Sequence, residues 1–376
     1  MRPRLRAGLR RFGDETAATG PPWLVARLVV VLALGLAHYL FDHLHAHASR
    51  QALHEGLLSW DAKWYRRIAV HGYAHVPRTG VRFFPLYPLA ARYLRPVFAG
   101  RVDVALLVLA NAAALVYGAL LYRLARRETG DEGVGRRAAW FVALVPPAFT
   151  LVMGYAEALA GCLAVAMFLA LRSRRWWWAA LAGFLSGLLR PSGALLAVPA
   201  AIESLRGVRR TTWDEGLARA TAVLSPLVGV GTFLAWVGAR FGDPLLPITV
   251  QQRSFLRGGF VDPFVALFHA GRSAFDGQFG GNGIHFPLLV VLVVLAAVAV
   301  VRLPASYSAF AGATVIVALS ARRLGSVERY GFAAFPLLLV LALVTASPRA
   351  GQAALVLATA GMVALATLAF LGLYIP

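Results

Sequence analysis

Long apolar runs separated by short arginine-rich segments set the rhythm of this chain. The runs fall at about 22–41, 102–124, 137–153, 155–171, 176–203, 217–240, 286–302, 304–321, 328–346 and 350–374. Most approach the roughly 20 residues that carry an α-helix across a bilayer. The pattern predicts an all-α, polytopic transmembrane helical bundle with ten or eleven crossings. The run 176–203 is interrupted by Arg190-Pro191. Proline removes a backbone donor and clashes with the preceding turn, so two half-spans are expected there. Residues 83–98 hold Pro85, Pro88 and Pro96 among aromatics, which predicts an interfacial or re-entrant element.

Arginine placement sets the expected orientation, because short loops rich in Lys and Arg stay in the cytoplasm. Arg2, Arg4, Arg6, Arg10 and Arg11 place the N-terminus inside. Counting onward, the loops 123–137, 172–175 and 204–216 also fall inside, and each is arginine-rich. Two long segments, 42–101 and 241–285, then fall outside. Residues 1–21 read as a basic cytoplasmic tail, mobile over 1–20, and 22–376 as a single membrane domain. The run after the basic N-terminus is too long for a signal peptide and lacks a small-x-small cleavage site, so it reads as a retained helix.

Composition sharpens this picture. Of 376 residues, 59% are hydrophobic and 14% charged, against about 25% charged in a soluble domain. The net charge of +20 comes from 37 basic and 17 acidic residues. A nucleic-acid binder needs that charge on a water-facing surface; here it gathers at the ends of apolar runs, which argues against nucleic acid. Lys63 is the only lysine, a bias consistent with a GC-rich bacterial genome. Cys162, the sole cysteine, lies inside an apolar run, so no intrachain disulfide can form. Asp42 with His43, His45 and His47 invites a metal reading, but only His43 and His47 share a helical face, and zinc needs further ligands. No metal and no cofactor is expected.

Chemistry concentrates in the first outer segment, Ser59-Trp60-Asp61-Ala62-Lys63-Trp64-Tyr65, running on through Ile68, His71, Gly72 and Tyr73. Trp60, Trp64, Ile68 and His71 fall on one helical face, suited to the headgroup layer. Asp61 then lies in the first turn of a short membrane-surface helix. It, or Ser59, can act simply as an N-cap. A carboxylate at that position can equally serve as a general base toward a hydroxyl. Both readings stay open on the residues alone.

The motif Trp60-Asp61-x-x-Trp64-Tyr65-x-x-Ile68-Ala69-x-x-Gly72-Tyr73, followed by Phe83-Phe84-Pro85-Leu86-Tyr87-Pro88-Leu89, resembles bacterial relatives of the PIG-V mannosyltransferases. These are the GPI mannosyltransferase II type, within the GT-C class of lipid-linked-sugar enzymes. Weaker matches follow: Pro146-Pro147 with Tyr155-Ala156-Glu157, Gly187 to Gly193 around Arg190-Pro191, Gln251-Gln252-x-x-Phe255, and Arg329-Tyr330 before Phe335-Pro336. The resemblance implies a GT-C-like fold and an inverting transfer of a sugar, mannose in the family, from a polyprenyl-phosphate donor to a glycan or lipid acceptor. It implies Asp61 as general base, with Glu157 a second catalytic candidate. Trp60, Lys63, Trp64, Tyr65, His71, Tyr155, Arg190, Gln251, Arg329 and Tyr330 become the substrate-binding candidates. Lys63 departs from the small residue usual in the family, and could bind a phosphate or alter the acceptor pocket.

Several features also carry plainer readings. Glu157 at a membrane boundary is either a functional carboxylate or a helix-end carboxylate facing water. Arginine's planar fork suits phosphate oxygens, the reading favoured for Arg190 and Arg329; Arg322 and Arg323 read as snorkelling residues. Arg253 and Arg257 lie beside Gln251. Trp176-Trp177-Trp178 reads as an interfacial belt. The rival to an enzyme is a transporter or lipid flippase with its site at the Arg190-Pro191 break.

Overall fold

The computed structural model describes residues 3–44, 50–208, 212–279 and 281–376, with side chains from Gly13 onward, Leu44 excepted. The described residues form helices and connecting turns, with no strand among them. In chain order the helices are α1 (Pro3–Leu44), α2 (Arg50–Glu55), α3 (Asp61–His71), α4 (Leu86–Leu94), α5 (Val102–Thr129), α6 (Glu132–Leu144), α7 (Glu157–Arg172), α8 (Trp176–Leu189) and α9 (Ala197–Leu205). They continue as α10 (Trp213–Phe241), α11 (Leu246–Thr249), α12 (Pro263–Phe275), α13 (Phe286–Arg302), α14 (Ala305–Leu319), α15 (Val327–Phe332), α16 (Phe335–Val344) and α17 (Pro348–Phe370).

Five helical stretches are long and apolar enough to cross a membrane: Gly13–His43, Val102–Thr129, Trp213–Phe241, Asn282–Arg302 and Pro348–Phe370. The chain is an integral membrane protein with an all-α, polytopic fold. The remaining expected spans are shorter or broken, and proline accounts for several breaks. Run 137–153 is α6, closed by a 3₁₀ turn over Pro146–Leu151. Run 176–203 is broken at Arg190-Pro191 as expected, into α8, a 3₁₀ turn over Pro191–Leu196, and α9. Run 328–346 divides into α15 and α16, the latter starting just ahead of Pro336.

The chain divides into two compact units, one of residues 1–62, 107–165 and 338–376, the other of 63–106 and 166–337. In the first, Asn111 of α5 is a polar node. Its amide donates to the Val152 carbonyl at 3.0 Å, its side-chain oxygen accepts from Arg27 Nε at 2.8 Å, and its carbonyl accepts from Trp23 Nε1 at 2.9 Å. Buried polar groups need such partners, and these bonds tie α1 to α5. A Cβ on Gly161 would meet the Tyr117 ring at 2.4 Å, so glycine lets α7 close on α5. The expectation of a mobile tail over 1–20 is corrected for its described side chains. Glu15 is buried and paired with Arg123, and Thr19 packs on Gly118. Residues 15 and 123 therefore share one end of this unit.

The second unit is organised by the crossing of α8 and α10. A Cβ on Gly187 would lie 2.2 Å from the Pro226 carbonyl oxygen, and one on Gly229 2.2 Å from that of Phe184. Small residues at such a crossing let backbones approach and gain dispersion contacts that lipid tails cannot match. Beyond α8 the chain turns back sharply: a Cβ on Gly193 would fall 2.2 Å from the Ser186 carbonyl oxygen. On α9, buried Glu203 accepts from the Ser306 hydroxyl and pairs with Arg206 at 3.0 Å and Arg172 at 3.6 Å. Residues 172, 203 and 206 therefore lie together at one end of this unit. Trp176 departs from the belt expectation: it is buried with the Arg219 guanidinium over its ring at 5.0 Å, while Trp177 and Trp178 are exposed.

Candidate functional site

Within the first unit the approach to α3 is fastened at three points. The Leu57 carbonyl accepts from the Gly154 amide at 3.0 Å, the Trp60 indole donates to the Ala369 carbonyl at 2.9 Å, and the Asp61 amide donates to the Tyr155 phenol oxygen at 3.2 Å. Trp60 sits at φ 57°, the left-handed region, which costs an ordinary residue about 1–2 kcal/mol. Such conformations persist where surrounding contacts over-determine them, and they gather at functional sites. Here the indole bond and the flanking bonds hold the strained turn.

Asp61 is the first residue of α3, as the sequence predicts, and Glu157 the first of α7. Negative charge is favoured at helix N-termini, where amide groups point outward. The first amides of a helix lack intrahelical acceptors, and a phenol from a distant segment supplies one for Asp61. Ser59 is corrected as a cap: its hydroxyl is buried and makes no hydrogen bond. Tyr155 is fully buried, whereas Asp61 and Glu157 are half-buried. This unit thus brings together Trp60, Asp61, Tyr155 and Glu157, four of the candidates.

The helical face expected to hold Trp60, Trp64, Ile68 and His71 is corrected at two positions. Trp60 precedes the helix, and Ile68 is fully buried in protein. Only the stretch after Trp60 winds as helix because the left-handed residue stops the winding from extending backward.

In the second unit the rest of the motif forms an aromatic frame. Trp64 stacks on Phe83 at 5.9 Å, and Tyr65 meets Phe83 and Tyr87 edge-on at 5.1 and 5.0 Å. The Tyr87 hydroxyl donates to the Leu106 carbonyl at 2.8 Å, and that of Tyr73 to the Phe83 carbonyl at 2.6 Å. Burial, and then the neighbouring Tyr65, push the Tyr73 phenol well above its ordinary pKa, so it stays a neutral donor. Phe84 and Tyr73 lie against Phe233 of α10 at 4.6 and 5.5 Å. Phe83, Phe84 and Tyr87 are therefore packing residues, and Tyr65 is buried among them. Lys63 and His71 are exposed on α3.

No protein-family model and no curated protein matches this chain.

The second unit also gathers cations around one ring. The guanidinium carbons of Arg257 and Arg329 lie 4.9 Å from the Tyr330 ring centroid, and that of Arg190 lies 5.8 Å away. Arg329 donates to the Tyr330 hydroxyl at 3.1 Å. Cations within about 6 Å of an aromatic face are attracted to its quadrupole, which offsets part of their mutual repulsion. Three arginines so gathered suit an oxyanion such as phosphate. Arg190 reaches the ring because the chain is extended between α8 and Pro191. Arg257 is the member that sequence reasoning noted only as a neighbour of Gln251. Its guanidinium donates to the Ala318 carbonyl at 2.8 Å, and its carbonyl accepts from the Arg323 amide at 2.9 Å. An arginine facing a distant aromatic leaves no local sequence signal.

Gln251 is half-buried in the turn before Arg257, its carbonyl accepting the Arg257 amide at 3.1 Å. Arg322 and Arg323 are exposed. His43 stacks on Tyr39 and shares a hydrogen bond with that residue's carbonyl; His45 and His47 lie outside the described residues. Among the described residues no three His, Cys, Asp or Glu side chains are grouped as metal ligands.

Proposed function

We propose that this protein is a GT-C-like glycosyltransferase of the bacterial plasma membrane, moving a sugar, mannose in the family it resembles, from a polyprenyl-phosphate donor to an acceptor hydroxyl at the extracytoplasmic face. The observation that carries the reading is the bond between the Asp61 amide and Tyr155, with Glu157 two residues further on. It unites two stretches of the family-like pattern that lie far apart in sequence, each bearing a carboxylate at a helix start.

In this reading Asp61 takes the proton from the acceptor hydroxyl as its oxygen bonds to the anomeric carbon. The bond from that carbon to the lipid phosphate breaks on the opposite face, its electron pair passes to the phosphate oxygen, and configuration inverts. Arg190, Arg257 and Arg329, gathered on Tyr330 in the second unit, are the candidates for binding the donor phosphate, with Lys63 a further one. Preorganised cations at a developing negative charge are worth several kcal/mol. Trp60, Trp64, Tyr65 and His71 are the further substrate-binding candidates of this reading, and Glu157 is its second catalytic candidate.

The break at Arg190-Pro191 favours a second reading, a transporter or lipid flippase. The purified protein, given polyprenyl-phosphate mannose with and without acceptor glycolipid, separates the two. Donor consumption that requires acceptor supports the transferase; donor that moves across a vesicle membrane unconsumed supports the carrier.

A further inference from the structure

The segment between the spans Trp213–Phe241 and Asn282–Arg302 contains α12, which is built inside out for a helix in water. Asp262 caps it, its carboxylate accepting from the Phe264 and Val265 amides at 2.8 and 3.2 Å, and Gly277 follows it at φ 70°. Local sequence therefore encodes the helix. Its packed side is small: Ala266, Ala270 and Gly271 are buried. A Cβ on Gly271 would lie 2.9 Å from the Phe286 ring, so α12 sits against the start of α13. Its open side carries Phe264, Phe268 and Phe275, exposed by 82%, 67% and 86%. At about 100° per residue these three fall within one narrow stripe. Arg272 and His269 are exposed alongside, and Phe260 and Phe279, at 77% and 58%, extend the apolar surface past both ends.

We propose that α12 is an in-plane membrane helix, with its phenylalanine stripe inserted at the boundary between headgroups and acyl chains where α10 ends and α13 begins. Phenylalanine on one side with a cationic flank is the pattern of helices lying in the interface. Both ends of the segment are tied to membrane-crossing helices, so the stripe is held beside a lipid surface. The flanking elements expose apolar side chains as well: Leu245 and Ile248 after α10, and Val290, Val291 and Val294 along α13. A patch of this size left in water would be unusual. Arg272, exposed and 3.8 Å from Asp276, is placed to reach lipid phosphates.

The test uses the full chain in nanodiscs loaded with one copy each, in a Cys162→Ser background, with nitroxides at Phe268→Cys and, separately, Asp276→Cys. Collision rates with oxygen, which concentrates in lipid, are compared with those of a water-soluble nickel chelate. The expected result is oxygen-dominated relaxation at 268 and nickel-dominated relaxation at 276. Nickel access at 268 equal to that at 276 overturns the proposal by placing the stripe in water. Shielding of 268 from both reagents overturns it too, by placing a protein surface there. Phe264→Cys repeats the reading should the label at 268 perturb the helix.

Discussion

The Asp61 backbone amide donates to the Tyr155 phenol oxygen at 3.2 Å. These residues lie 94 positions apart, so a long-range bond holds the first amide of α3. Tyr155→Phe keeps the ring and removes the acceptor. Under the proposed function it lowers turnover roughly tenfold, equal to about 1.4 kcal/mol of barrier, and lowers stability by about 1 kcal/mol. Sugar transfer and thermal unfolding measured together check this; unchanged turnover would detach Tyr155 from the site.

The α8–α10 crossing separates a packing glycine from an idle one. Gly187→Ala on α8 pushes a methyl to 2.2 Å from the Pro226 carbonyl oxygen, whereas a Cβ on Gly231 of α10 meets nothing within 4 Å. Overpacking against backbone costs about 1–3 kcal/mol; Gly→Ala in an open helical position gains about 0.5–1 kcal/mol. Thermal unfolding in detergent should show Gly187→Ala melting lower than the parent and Gly231→Ala no lower.

Legibility in the sequence differed by element, for physical reasons. Helices such as α5 and α13 announce themselves through uninterrupted apolar runs, and Arg190-Pro191 announces its own break. The start of α3 at Asp61 was visible because a tryptophan and an acidic residue precede a periodic stretch. Trp60 misled, since nothing local marks a left-handed tryptophan held by a carbonyl more than 300 positions away. Glu15 misled likewise, its partner Arg123 lying far down the chain. Within α12, the apolar pattern was hidden because its packed side is alanine and glycine while its phenylalanines face outward.

The three arginines around Tyr330 share one ring, so their substitutions should not add. Arg190→Gln, Arg257→Gln and Arg329→Gln are each expected to raise the KM for the lipid donor and lower kcat. The double variants should lose less than the sum of the single losses, as groups on a shared partner do. Full additivity, or donor kinetics untouched in folded Arg257→Gln, would remove the cluster from phosphate binding.

Orientation is open to impermeant thiol labelling. Cysteines replacing exposed Ala74 and Asp276 in a Cys162→Ser background are expected to label in intact cells, and one replacing Asp214 only after lysis. Gly258 is a poor reporter site, because it sits at φ +69° and a Cβ there would meet Arg322 at 3.0 Å. The reverse labelling pattern would invert the membrane orientation and move the proposed site to the cytoplasm.

The central claim, that Asp61 is the general base, turns on one substitution. Asp61→Asn keeps size, and asparagine caps a helix about as well as aspartate, while the Tyr155 bond uses the backbone amide and survives the change. What is lost is the ability to take up a proton at neutral pH. The measurement is the rate of mannose transfer from a synthetic polyprenyl-phosphate donor, with donor binding and thermal stability recorded on the same sample. The account predicts a folded, donor-binding protein whose turnover falls by roughly 10²–10⁴-fold. Near-normal transfer by the asparagine variant would contradict it, leave Asp61 as a helix-start residue, and pass the role to Glu157.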